Sequence, residues 1–176
     1  MGTEVSFHVG DKVVYPNHGV GVVEQISSRV MGDNVQKYYL LKIKSSSLTV
    51  MVPFHNVSVV GMRRVIKNGE ILKVLEFLTS GKCENHPDWK NRFKENSDKM
   101  RTGSLFDVAL VLKGLLILNK TKPLSFREKK MMERARYLLV SELAMSKNEH
   151  EDVIEQLLTR ALAKSKLKFP EVTAEA

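Results

Sequence analysis

The sequence predicts an α+β chain in which a small sheet module, residues 1–67, precedes a five-helix bundle, residues 68–176. Three observations carry that expectation. Up to Val60 the apolar residues mostly alternate, and turn signals interrupt them at short intervals. After Lys67 they recur at helical spacing. Between the two patterns lies a short junction around Arg63 to Asn68.

The first β-rich run is Val13, Val14 and Tyr15, closed by Pro16-Asn17-His18-Gly19. Proline presets φ there, and Asn and Gly tolerate positive φ. Val20 to Ile26 is the second run, and Met31-Gly32-Asp33-Asn34 the next turn. In Lys37 to Lys44 alternation puts Tyr39, Leu41 and Ile43 on one face and Tyr38 and Leu40 on the other. Ser45-Ser46-Ser47 breaks the run, Leu48 to Pro53 follows, and Val57 to Val60 reads as a fifth short strand. Strands this short predict a strongly bent sheet or partial barrel with an open edge able to accept a strand from another protein.

Ile71, Leu75 and Leu78 mark the first helix, with Gly81 as its stop. Pro87 fits the first turn of a second helix that reaches about Arg101. Ser104 with Asp107 caps a third, whose Leu105, Val108, Leu112 and Leu115 read as core. Ser125-Phe126-Arg127-Glu128 is a capping box, so a fourth helix begins there, with Met131, Ala135, Leu138, Leu139 and Leu143 along its apolar stripe. A fifth covers Glu151 to Lys164, with Val153, Ile154, Leu157, Leu158 and Leu162 apolar. From Phe169 onward, and over 170–176 in particular, the chain reads as a frayed tail.

The 176 residues carry a formal charge of +8 and a pI near 9.6, a balance that attracts polyanions such as nucleic acid. With 43% hydrophobic residues the chain can bury a core. Its single cysteine, Cys83, excludes an internal disulfide. The N-terminus shows no signal-peptide pattern, and the apolar stretch Leu105 to Leu118 contains Asp107 and Lys113 and is too short to span a bilayer. A cytoplasmic protein without membrane contact is the expectation.

The motifs of common enzymes are absent: no G-x-S-x-G, P-loop or G-x-G-x-x-G occurs. Cys83 and His86 have metal-ligand spacing, but structural zinc takes four ligands and no second pair lies nearby. No catalysis, no cofactor and no metal are expected. Two basic stretches remain. Lys90, Arg92, Lys94, Lys99 and Arg101 lie in the second helix; Lys120, Lys122, Arg127, Lys129, Lys130, Arg134 and Arg136 surround the start of the fourth. Each is either a solvated helix face or a surface for phosphate. Trp89, the only tryptophan, either folds onto Phe93 at i+4 or stands exposed to wedge against a base step beside Lys90 and Arg92.

The segment Phe7-His8-Val9-Gly10-Asp11-Lys12-Val13-Val14-Tyr15-Pro16-Asn17-His18-Gly19-Val20-Gly21-Val22-Val23 resembles the opening of the CarD family, also called CdnL-like factors, and the polymerase-interacting module of transcription-repair coupling factors. The resemblance continues through Leu48 to Pro53, Val60 to Arg63, Trp89-Lys90-Asn91-Arg92-Phe93-Lys94, Lys99 to Ser104 and Leu124 to Met131. Coupling factors lack this helical half. The resemblance implies a Tudor-like β module that adds its edge to a strand of the RNA polymerase β-subunit lobe. It also implies a helical domain at the upstream edge of the transcription bubble, in a monomer that reaches the nucleoid through polymerase. Arg29 falls where family members use an arginine against polymerase. Met51 falls where some carry a second arginine, so that an apolar contact is the alternative at that position. Trp89 matches the tryptophan that wedges into the minor groove at the upstream fork, with Arg92, Lys94 and Lys90 at basic positions near that DNA and little sequence readout. Asn91 departs from a basic residue in some relatives and removes one phosphate contact. The competing readings are a stand-alone basic nucleic-acid-binding protein and an enzyme built on Cys83 or His86. Against the first, residues 11 to 60 hold five Lys/Arg and three Asp/Glu.

Overall fold

A computed structural model of the chain describes residues 6–16, 18–83 and 88–171. Asn17 of the first turn, His86, Pro87 and the end of the tail lie outside the described residues.

Five strands form one antiparallel sheet: β1 (Lys12–Tyr15), β2 (Gly19–Met31), β3 (Asn34–Ile43), β4 (Thr49–Pro53) and β5 (Arg63–Arg64), in the spatial order β4-β3-β2-β1-β5. The register of β2 against β3 shifts between Val23 and Gln25, a bulge that bends the strand. Gly21 lies where a Cβ would stand 2.7 Å from the Lys42 carbonyl oxygen, so only glycine permits the two strands to approach this closely. Tyr39, Leu41 and Ile43 face a core shared with Phe7, Val13, Val23 and Val52, as the alternation predicts. β4 pairs with β3 only from Tyr38 to Lys42. β1 pairs with β2 only from Gly19 to Val22. The far half of β2 and β3 is therefore a two-stranded ribbon, with Val30, Met31 and Val35 exposed near its tip.

One predicted strand is not a strand. Pro53, at φ −58°, opens a 3₁₀ turn over Phe54–Asn56, which runs into a short helix, α1 (Val57–Val60). Gly61, at φ +75°, closes it in the left-handed conformation. Local turn chemistry at both ends outweighs the β preference of three valines.

The bundle consists of α2 (Asn68–Ser80), α3 (Trp89–Arg101), α4 (Leu105–Thr121), α5 (Phe126–Lys147) and α6 (Glu151–Lys164). α4 is apolar on nearly every side and sits at the centre, with Leu105, Val108, Leu112 and Leu115 buried. Lys113 interrupts its sequence but not its burial. Its Nζ donates to the carbonyls of Phe77 at 2.7 Å and Gly81 at 2.6 Å, satisfying the end of α2. Burial holds this amine below the ordinary lysine value. Two expectations for the C-terminal part need correction. Val153 is exposed, because the buried stripe of α6 runs through Ile154, Leu158, Ala161 and Leu162. Phe169 is not frayed: it packs against the bundle core, with the Arg136 guanidinium 4.1 Å from its ring centroid.

Candidate nucleic-acid interface

α3 begins with a side-chain cap. Asp88 accepts a hydrogen bond from the Lys90 backbone amide at 3.0 Å, and the Asn91 side-chain amide donates to its other oxygen at 3.0 Å. Trp89 is therefore the first residue of α3; its side chain lies outside the described structure. Lys90, Asn91 and Lys94 are exposed along the same helix.

Arg92 points elsewhere. It is only 9% exposed, and its Nη2 donates to Glu128 at 3.0 Å. Glu128 is the third residue of α5 and closes the predicted capping box: its other oxygen accepts from the Ser125 amide at 2.9 Å, while Ser125 Oγ accepts from the Glu128 amide at 3.2 Å. Burial pushes the Glu128 carboxyl up. The Ser125 backbone bond and the Arg92 guanidinium more than offset that, so it titrates below the ordinary glutamate value.

The Arg92–Glu128 pair ties the start of α3 to the start of α5. It thereby unites the two basic stretches that lie far apart in the sequence. Arg127, Lys129 and Lys130 are exposed on the first turn of α5, and Lys120 and Lys122 at the end of α4. Phe126 is 70% exposed, with Lys130 Nζ 4.6 Å from its ring centroid. Sequence reasoning passed over Phe126 because the first position of a helix can face either way. It also assigned Arg136 to this cluster, but its Nε donates to Glu155 at 2.9 Å and its charge is drawn to α6. The capping box marked Glu128 as the acid at the third position of α5, but its pairing with Arg92 arises only when α3 packs beside it.

On the sheet, Arg29 pairs opposite Gln36 and Met51 opposite Leu40. Gln36 and Leu40 share a parity on β3, so Arg29 and Met51 share a sheet face, about 13 Å apart along the strand direction. Both are exposed.

Among the described residues, no three His, Cys, Asp or Glu side chains converge closely enough to hold a metal ion. Cys83 is partly buried, and burial pushes its thiol above the ordinary value, away from the reactive thiolate. No described helix is long and apolar enough to cross a membrane.

Residues 7–66 match the family model described as "CarD-like/TRCF RID domain", and residues 73–159 the one described as "CarD, C-terminal domain". The candidate transcription factor YdeB of Bacillus subtilis (strain 168) is 33% identical over 141 residues, covering 80% of this chain and 92% of that protein. The solution NMR structure of the 72-residue N-terminal domain of Myxococcus xanthus CarD is 31% identical, over 35% of this chain and 83% of that one, with a TM-score of 0.29.

Proposed function

The chain belongs to the CarD-like family of transcription regulators, and from that premise we propose that it binds the β-subunit lobe of RNA polymerase through residues 1–67 and stabilises opened promoter DNA through residues 68–176. It acts without catalysis and needs no cofactor.

The observation that carries this reading is the Arg92–Glu128 pair, which makes one basic face from the starts of two helices. Lys90 and Lys94 of α3, with Arg127, Lys129 and Lys130 of α5, supply charges for phosphates on that face. Trp89, at the first position of α3, is the wedge at the upstream fork of the bubble. Arg92 serves by holding that first turn in place through Glu128, rather than by touching phosphate itself. On the sheet, Arg29 and Met51 form the polymerase contact, one charged and one apolar, beside the open flank of the β2–β3 ribbon.

The mechanism is a population shift. Promoter opening is reversible, and a ring packed at the fork must be expelled before the strands re-anneal. The factor therefore has a higher affinity for the open state, and that difference alone sets how far the equilibrium moves. A stacking contact worth about 1–3 kcal/mol moves it about 5- to 150-fold. Docking on polymerase raises the local concentration of the wedge, so weak intrinsic affinity for DNA suffices.

Charge reversals separate the two contacts. Arg29→Glu is expected to weaken binding to core polymerase about tenfold and leave binding to a forked duplex unchanged. Lys90→Glu with Lys94→Glu is expected to do the opposite and to make the salt dependence of DNA binding shallower by about two counterions. Tight binding to free duplex, with regulation indifferent to Arg29→Glu, would replace this reading with a stand-alone nucleic-acid-binding protein.

A further inference from the structure

The sheet and the bundle meet around one buried carboxylate. Glu142 of α5 is 2% exposed. Its oxygens accept from Arg63 Nη1 and Nη2 at 2.5 and 2.9 Å, and one of them also accepts the Ile66 amide at 3.0 Å. Arg63 Nε donates to the Gly103 carbonyl at 2.7 Å, in the turn between α3 and α4. Ser146, further along α5, donates to the Ile66 carbonyl, and Lys12 of β1 donates to the Met145 carbonyl at 3.2 Å. Pro16 fills the remaining space so closely that a Cβ on Gly103 would stand 3.2 Å from its ring. The cavity left at this seam is about 20 Å³, room for a single water. The stretch from Arg63 to Ile66 is thus a pinned joint and not a linker.

A buried ion pair is weak evidence for stability, because apolar replacements of similar volume often do as well. What a bidentate pair supplies is direction. Here the direction matters over a distance. From Glu142 to Glu128, α5 rises about 21 Å. From Arg101 to Trp89, α3 rises about 18 Å. Arg63 therefore grips the roots of the two helices whose far ends form the basic face.

We propose that Glu142 is a positioning residue: by holding Arg63 and the Ile66 amide it fixes the angle between the polymerase-docking sheet and the DNA-facing ends of α3 and α5, and the lifetime of the open promoter complex depends on it although it touches neither partner. This rests on the function proposed above. A loose joint would spread the DNA-facing end over a larger volume and lower its effective concentration at the fork.

The test uses the full chain with Glu142→Gln, which preserves volume but turns an amide N–H toward Arg63 at one oxygen position. Spin labels at Lys37→Cys and Arg160→Cys, in a Cys83→Ser background, report the distance between sheet and bundle. The expected result is a narrow distribution in the parent and a broad or shifted one in the variant. Binding to core polymerase and to forked duplex, measured separately, should change no more than for a neutral surface substitution, while the gain in open-complex lifetime falls about fivefold or more. Should Glu142→Gln fail to fold, Arg63→Met with Glu142→Met restores an apolar seam without its direction and carries the same expectation. A broad distribution in the parent, or a folded variant with parental distance and lifetime, overturns the proposal. A parent that gives no lifetime gain overturns the functional reading instead, and the distance measurement, made without polymerase, then decides the joint by itself.

Discussion

Glu128 accepts hydrogen bonds of two kinds, one from the backbone that starts its own helix and one from Arg92 on α3. The carboxylate form makes both, which is why its titration lies below the ordinary value. A group whose folded-state titration is depressed contributes stability above its unfolded value, near 4.5, and loses that contribution as pH falls through the folded value. Glu128→Gln is therefore expected to cost about 1–3 kcal/mol near neutral pH, because it leaves the buried Arg92 without its anion. In urea unfolding followed by circular dichroism, the gap between parent and variant should narrow once the pH is well below that range. An equal gap at both pH values would mean that packing, not charge, holds the two helices together. Residue type and spacing marked Arg92, Glu128 and Trp89 as important, yet could not divide their labour. Whether a cation faces phosphate or a carboxylate is settled by the partner helix, and that pairing spans 36 positions.

Elements were legible where their ends carry chemistry. Ser125 to Glu128 announced α5, and Ser104 with Asp107 announced α4; both caps form as read. α6 runs over the predicted residues, Glu151 to Lys164, although its stripe excludes Val153. Val57 to Val60 was misread because β-branched composition is a weaker guide than a proline before the segment and a left-handed glycine after it. Lys113 was legible only as an interruption; its role in ending α2 depends on packing between helices. The α5 cap matters beyond its own helix, since it presents Glu128 to Arg92. Ser125→Ala should cost about 1 kcal/mol in thermal unfolding. It should also weaken binding to forked DNA by less than the paired lysine reversals do. A loss of DNA binding as large as theirs would place Ser125 itself at the DNA.

At the scale of the molecule, the two modules keep separate cores, one under the sheet and one in the bundle. The family resemblance in the sequence spans both modules, and family models match both. What the sequence does not display is the seam, because Arg63 and Glu142 are 79 positions apart and nothing in the segment around either one names the other as its partner. In the proposed function, two helices rooted at one joint link a contact on polymerase to a contact on DNA. The proposed function turns on Trp89, the first residue of α3, holding the promoter open. The lifetime of the open complex formed by cognate polymerase, challenged with competitor and compared between the parent protein and Trp89→Ala, tests this most directly. The expected result is a longer lifetime with the parent that is largely lost in the variant, with polymerase binding unchanged. An equally long lifetime with Trp89→Ala bound to polymerase would contradict it.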